Sequence, residues 1–493
     1  MNKKMIFLII LSLFISVSTS SGFMINDISV VSEKSDEQWI IKGIELTSDG
    51  SHYIDMTIDK DNDLFISYYD RDLKSLKVAF IRGGNTIIDV VDSDNDVGLY
   101  SSIIVDSNDC LHVSYYDSTN NDLKYAYWNG STWNIEMVDA TDNVGLYTCI
   151  DVDSFNKPHI SYYDASNGDL KYCYWDGTKW NIEIVDENGD IGIGTSLVID
   201  SNDTPHISYT DEANRFLYYA KKVNSNWETI FVDDDCTIFA STSIGIDLDN
   251  FAHIAYFDVG TSEVNWNLKH AYYDGAEWID EIVDPDLKHF WNDWGVSICI
   301  DDLNRINIGY YSWYRWDLNY AYKKNDKWSI ETVESDGDSG VYASIVVNLE
   351  NYPIISYMSR SSIELRYAMK IQYSPDPPDK PNGPNIGKPD ELYTFQATGF
   401  DFDGDDVKYG WDWGDESEIE WTNFYKTGET IEIEHSWSEK KTYNVKVIVV
   451  DINGYESYWS EPLKISISKV KNRNYPLFSN VLEKILEDLN KKI

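Results

Sequence analysis

From about residue 39 onward, apolar and aromatic residues fall in short runs, and each run is cut by Asp, Asn, Gly or Ser. One stretch shows the unit. LYTCIDVD (Leu146–Asp153), PHISYYD (Pro158–Asp164), LKYCYW (Leu170–Trp175) and WNIEIVD (Trp180–Asp186) follow one another with only turn residues between them. Runs rich in Ile, Val, Tyr and Trp, bounded in this way, predict four β-strands, here called a, b, c and d. No stretch of residues 39–372 carries a 3.6-residue period, which argues against a helical solenoid.

The unit recurs. Strand b begins as FISYYD at Phe65, HVSYYD at His112, HISYYD at His159, HISYTD at His206, HIAYFD at His253, NIGYYS at Asn307 and IISYMS at Ile354. The spacings, by subtraction, are 47, 47, 47, 47, 54 and 47 residues. Four strands repeated at this period predict a seven-bladed β-propeller over residues 36–372. The last unit has runs a to c (Val341–Asn348, Pro353–Met358, Glu364–Lys370) but no run d. QWIIKGIEL supplies it: Trp39 lies 47 residues before Thr86 and 94 before Trp133, both at strand d positions. The N-terminal strand 39–46 should therefore complete blade seven and remove the exposed edges of an open array.

A Pro/Gly-rich linker at 373–390 separates the repeats from alternating strands at 391–468, the pattern of a small β-sandwich. FDFDGDDVKYGWDWGD, HSWSEKKTYNVKVIVVD and NGYESYWSEPL, within about Pro378–Ile467, closely resemble the polycystic-kidney-disease (PKD) domain pattern. Glu416 stands where that family's motif usually has Gly. The resemblance implies an Ig-like sandwich used outside cells as a spacer or adhesion module, without catalysis. The repeat half resembles secreted, archaeal-type prokaryotic propellers. Its c–d turns WDGTKW (Trp175–Trp180) and YDGAEW (Tyr273–Trp278) resemble the Asp-box turn of sialidase-like propellers, without the Asp-box Ser and without a visible arginine triad. Residues 469–493 end the chain with Leu477, Val481, Ile485 and Leu489 at four-residue steps, an amphipathic tail. It resembles the short C-terminal tails of some secreted archaeal proteins. The fold class expected is all-β: a seven-bladed β-propeller plus an Ig-like β-sandwich, with a short C-terminal helix.

Lys3 and Lys4, the apolar run Met5–Val17 and the small residues after it predict a secretory signal peptide at 1–21. The run is short for a membrane helix and no later segment could span a bilayer. The expectation is a secreted or cell-surface protein with no integral membrane span in the mature chain. Cys110, Cys149, Cys173, Cys236 and Cys299 form neither a disulfide framework nor a zinc spacing. A formal net charge of −44 argues against nucleic-acid binding.

The a–b turns repeat an acid (Asp59, Asp106, Asp153, Asp200, Asp247, Asp301, then Asn348), as expected of turn caps. The His opening strand b (His112, His159, His206, His253) recurs on separate blades, so a packing role is expected. Acids on the opposite rim, at the ends of strand b and in the d–a loops, offer oxygen ligands for Ca²⁺, as do Asp401, Asp403 and Asp405 of the sandwich. The long 54-residue step has a location. Asp258 to Lys269 spans 11 residues where Asp164 to Lys171 spans 7, and Trp278 to Ser297 spans 19 where Trp180 to Ser196 spans 16. These excesses, 4 and 3, fall in a b–c loop and a d–a loop on one rim. With the b–c loop SWYRWD they bring Trp266, His289, Phe290, Trp291, Trp294, Trp313, Tyr314, Arg315 and Trp316 to one sector. Features shared by every blade read as scaffold, and what one sector adds reads as a candidate site: a stacking platform for an extracellular glycan or protein ligand. No residue is assigned a catalytic role. The alternative is a secreted polysaccharide lyase or glycosidase using the acidic rim, for which His289, Tyr314 and Arg315 could supply a base and a charge-neutralising group.

Overall fold

The computed structural model describes residues 30–31, 39–47, 50–234, 236, 242–258, 266–285, 287, 295–324, 327–370, 374–401, 405–452 and 454–468. The leader 1–21 and the tail 469–493 lie outside them. The described residues contain strands and no helix, and no helix long and apolar enough to cross a membrane.

Residues 51–370, with the N-terminal strand, form seven antiparallel sheets: six of four strands and one of five. The first comprises Ser51–Ile58, Leu64–Asp70, Ser75–Arg82 and Asn85–Asp92 in sequential order. In the last, Ser339–Val347, Pro353–Ser359 and Glu364–Lys370 are completed by Trp39–Leu46, which pairs antiparallel with Glu364–Lys370 from Trp39↔Lys370 to Leu46↔Glu364. The two-residue strand Val30–Val31 extends this sheet outward. The first strand of each sheet touches the first strands of both neighbours, and Ser339–Val347 returns to Ser51–Ile58, so the sheets close into a propeller-like ring.

Three sets of contacts run around the whole ring, and each follows from the repeated sequence. Strand b places a fully buried Tyr between sheets: Tyr68, Tyr115, Tyr162, Tyr209, Tyr256, Tyr310 and Tyr357. A buried phenol must find a partner. Each donates to the acid near the end of the preceding sheet's outer strand, from Tyr115 OH to Asp92 Oδ2 (2.7 Å) round to Tyr68 OH on Glu45 Oε2 of the N-terminal strand (2.6 Å). The inner strands have a different problem, because the edge facing the axis carries unpaired N–H groups. A side chain of the preceding inner strand accepts each of these. Ile103 N–H donates to Asp55 Oδ2 (2.9 Å), Ile150 N–H to Ser102 Oγ (3.3 Å), and so on until Met56 N–H donates to Ser344 Oγ (3.1 Å). Finally, the a–b turns are capped as the sequence predicts: Asp106 Oδ1 accepts Asn108 N–H (2.8 Å) and Cys110 N–H (2.9 Å). Asn or Asp at the turn's left-handed position accepts an N–H from the adjacent turn, as Asn62 Oδ1 does from Leu349 (3.0 Å).

The sandwich is built from Tyr393–Thr398, Val407–Asp412, Thr430–His435, Thr442–Asp451 and Leu463–Ile467, with short strands Ile386–Gly387 and Glu420–Trp421 at its margins. Trp411, Trp413 and Trp437 fill its core. Glu416, at the family's usual Gly, has φ +68°.

Candidate ligand-binding face

Each of the six described b–c turns ends on a residue in the left-handed region: Lys74, Asn121, Gly168, Arg215, Trp316 and Ile363. In the sixth sheet this turn is Trp313–Trp316, closed by Trp316 N–H and Arg315 N–H on Ser312 O (2.7 and 3.2 Å). Tyr314 is 63% exposed and Trp316 is 54% exposed. Trp316 has φ +62°, in a place where another turn has Gly168. Arg315 is exposed; its charge helps offset the burial that raises the Asp284 and Asp317 carboxyls. Trp313 turns inward: its ring packs edge-on against Tyr311 at 5.8 Å, under the Arg360 guanidinium at 5.7 Å. Trp266 is half-buried against the core between the fifth and sixth sheets, and its carbonyl accepts Leu287 N–H (2.8 Å). That bond ties together the two loops carrying the extra residues. His289, Phe290, Trp291 and Trp294 lie outside the described residues. The predicted sector thus splits into a packed pair, Trp266 and Trp313, and an exposed pair, Tyr314 and Trp316.

The acids ending strand b are occupied. Asp70, Asp117, Asp164, Asp211 and Asp258 are all buried. Asp164 Oδ1 accepts Ser166 and Asn167 N–H (both 3.1 Å), while its other oxygen pairs with Lys171 (2.7 Å). The recurrent His are equally committed: His112 Nδ1 meets Tyr125 OH at 2.7 Å and His206 Nδ1 meets Tyr219 OH at 2.6 Å. In the sandwich, Asp401 is buried and its Oδ1 accepts Asp405 N–H (3.2 Å); Asp403 lies outside the described residues. Among the described residues no three His, Cys, Asp or Glu side chains are grouped to hold a metal ion.

A second feature of this face was not foreseen. Near the start of five of the seven inner strands the pairing with strand b skips, as between Leu99 and Ser102. Such a bulge re-aims the residue inside it. That residue is Tyr53, Tyr100, Tyr147 and Tyr342 in four consecutive sheets around the ring, at φ +53°, +53°, +54° and +57°. The equivalent residues in the other three are Gly194, Ser241 and Gly295; Ser241 lies outside the described residues, and the two glycines have φ +60° and +111°. The left-handed region costs a non-glycine residue roughly 1–2 kcal/mol, so four tyrosines are held where the fold favours glycine. Their rings form an arc: Tyr53–Tyr342 at 5.3 Å, Tyr53–Tyr100 at 4.3 Å and Tyr100–Tyr147 at 4.6 Å. All four are half-buried, and burial raises every one of these phenols, Tyr147 to about 12. They are therefore neutral hydrogen-bonding groups at physiological pH. The b–c loops beside them differ in charge. Arg71 and Arg360 stand at the Tyr53 and Tyr342 end, where His52 Nδ1 meets Tyr342 OH (3.1 Å); Glu212 stands at the Tyr147 end. The repeat spacing alone could have found this arc, by comparing inner-strand positions where Tyr alternates with Gly.

Deeper along the axis, Asp151 occupies a position that is Thr57, Ile104, Val198, Gly245, Cys299 or Val346 elsewhere. Its carboxylate accepts Val152 N–H (2.8 Å) and Ile199 N–H (2.7 Å), yet burial pushes its pKa up to about 6.

No curated protein matches the chain. Among solved structures it is similar to the PKD domain of an M14-like peptidase from a Thermoplasmatales archaeon, with 32% identity over 20% of this chain and 100% of that one, TM-score 0.19. The ring is similar, at 11% identity, to a Hadza microbial sialidase (TM-score 0.40, 64% of this chain, 74% of that one). It is similar at the same identity to an α-L-arabinanase of Penicillium chrysogenum complexed with arabinobiose (TM-score 0.39, 55% of this chain, 92% of that one). The PKD family model matches residues 380–460. Residues 380–460, whose sandwich core holds Trp411, Trp413 and Trp437, thus form a PKD domain.

Proposed function

We propose that this chain is an extracellular recognition protein that binds a glycan on the face formed by the b–c and d–a loops of its ring. The observation that carries the reading is the exposed pair Tyr314 and Trp316, on one loop with the exposed Arg315 and the packed Trp313. Large aromatic rings held in water suit the C–H face of a sugar, and the neighbouring guanidinium suits its hydroxyls. The proposal also takes in His289, Phe290, Trp291 and Trp294, which follow Leu287 in the sequence of the lengthened loop and lie outside the described residues. The PKD domain fits the role of a spacer that presents the ring. A glycan array probed with the chain, followed by calorimetry on each hit, tests the reading. Replacing Tyr314 and Trp316 together by Ala should weaken binding at least about tenfold, each stacked ring contributing on the order of 1 kcal/mol, and should leave the melting temperature unchanged. A double variant that binds normally refutes the platform. Product formation from a bound glycan would replace recognition with turnover.

A further inference from the structure

We propose that the arc Tyr342–Tyr53–Tyr100–Tyr147 at the axis of the ring is itself a binding surface, and that its ligand is an acidic oligosaccharide whose anionic group lies toward Arg71 and Arg360. This rests on the glycan reading above but names a different place and a charge class.

The first support is the backbone. The bulge demands a left-handed residue, and the fourth sheet answers with Gly194 at φ +60°. Four others answer with Tyr, which gains nothing from that conformation. Strain kept at a set of neighbouring positions marks functional surfaces more often than scaffold. The tyrosines are also not spread at random around the ring. They occupy four successive sheets, so the aromatic surface at the axis is one-sided among the described residues.

The second support is chemical. The rings of Tyr53, Tyr100 and Tyr147 are in direct contact, with centroids 4.3 and 4.6 Å apart, so their phenols lie side by side. Rings and hydroxyls together match the two kinds of surface a pyranose presents. The third is electrostatic. The chain carries a formal charge of −44, and acids of the ring such as Asp92, Asp164 and Asp233 pair with a lysine while others such as Asp106 and Asp200 cap a turn. Against that background Arg71, Arg360 and His52 gather at one end of the arc. Arg71 is exposed, and Arg360, 3.7 Å from Asp338, also lies over Trp313, joining the arc to the aromatic loop of the sixth sheet. Glu212 at the far end would repel a second anion, so a chain with its charge at one end fits best.

The test is calorimetry on the full chain with three probes: an oligogalacturonate, a sulfated galactan oligomer and a neutral galactan oligomer. At least one acidic oligomer should bind, more tightly than the neutral one and more weakly as salt rises. Tyr100→Gly should weaken that binding about tenfold or more, and Arg71→Gln should do the same for the acidic oligomers only. Tyr100→Gly should still fold, since Gly194 already serves this position in the fourth sheet; its melting temperature within a few degrees of the native value separates lost binding from lost structure. Equal binding of acidic and neutral oligomers, unchanged binding by Tyr100→Gly, or no binding of any of the three probes overturns the inference. The recognition reading survives these results if an array hit still depends on Tyr314 and Trp316, and falls separately if it does not.

Discussion

Asp151 should make the stability of the ring depend on pH in a way one substitution can erase. Its carboxyl sits on the inner strand Val144–Val152 and titrates at about 6 instead of the usual 3.8, because burial disfavours the charge more than two backbone N–H bonds favour it. A carboxyl raised in the folded state contributes stability in full below its unfolded pKa and loses it as pH climbs through the folded value. The gap of 2.2 units corresponds to an upper limit of about 3 kcal/mol at neutral pH. About half of that loss has already occurred at pH 5, so roughly 1.4 kcal/mol remains to be lost between pH 5.0 and 7.5. Asp151 retains some exposure to the axis, so the measured change should fall at or below this figure. The substitution to make is Asp151→Thr, because Thr57 fills the same position and its Oγ1 accepts the equivalent N–H from Val105 at 3.4 Å. Thr loses a charged acceptor, which adds an offset that does not depend on pH. The slope is therefore the signal, not the absolute difference. Urea unfolding of both proteins across this interval, followed by tryptophan fluorescence, should show native stability falling relative to the variant by on the order of 1 kcal/mol. Curves that stay parallel would refute the assignment of a raised carboxyl at the axis.

Two further perturbations probe the architecture. Deleting Trp39–Leu46 removes a strand paired along Glu364–Lys370, the buried Trp39, and the Glu45 partner of Tyr68 and Lys77, so the ring should lose its cooperative thermal transition; a truncated chain melting at the native temperature would contradict closure by this strand. Glu416→Gly relieves a left-handed residue at a cost of about 1–2 kcal/mol while adding roughly 0.5–1 kcal/mol of unfolded-chain entropy, so the sandwich transition in calorimetry should rise by a few degrees, and a lower value would show that the Glu416 side chain stabilises the turn.

The ring was legible because its contacts are made by residues that repeat. Tyr115 and Asp92 belong to different units, but both recur, so the same bond is made at every seam. The absence of a fourth run after Lys370 and its presence at Trp39 were enough to predict the closing strand, and its pairing register agrees. The a–b turn acids were read correctly for the same reason: a short carboxylate at a hairpin has nearby N–H groups to accept. The acids at the ends of strand b were harder to place. In sequence they resemble open oxygen ligands, whereas in the fold they are buried in turn caps and pairs with lysines such as Lys171. Which atoms a carboxylate faces depends on strand twist and sheet packing, and neither is visible in a spacing. The same limit applies to the aromatic loop, where one-dimensional proximity grouped Trp313 with Trp316 although one ring packs under Arg360 and the other faces water.

The tyrosine arc was missed for a more instructive reason. In sequence, VGLYSSIIV looks like an ordinary strand, and Tyr is an ordinary strand residue. Only the bulge, which leaves no residue-level mark, turns that Tyr from a member of the ladder into a left-handed residue at the axis. The rule that shared features are scaffold and unique ones are function fails here, because four of seven equivalent positions carry Tyr. A repeat residue can serve function when its neighbours make each copy different. Tyr53 sits near Arg71, Tyr342 near Arg360 and His52, and Tyr147 near Glu212. The better comparison asks which positions tolerate glycine. Where the fold calls for a left-handed residue and glycine already serves in the fourth sheet, a tyrosine is not needed to build the bulge. Its conformational cost must be met by some other benefit, and at an axis lined on one side by four phenols with unequal charge at the two ends of the arc, the benefit we propose is a ligand.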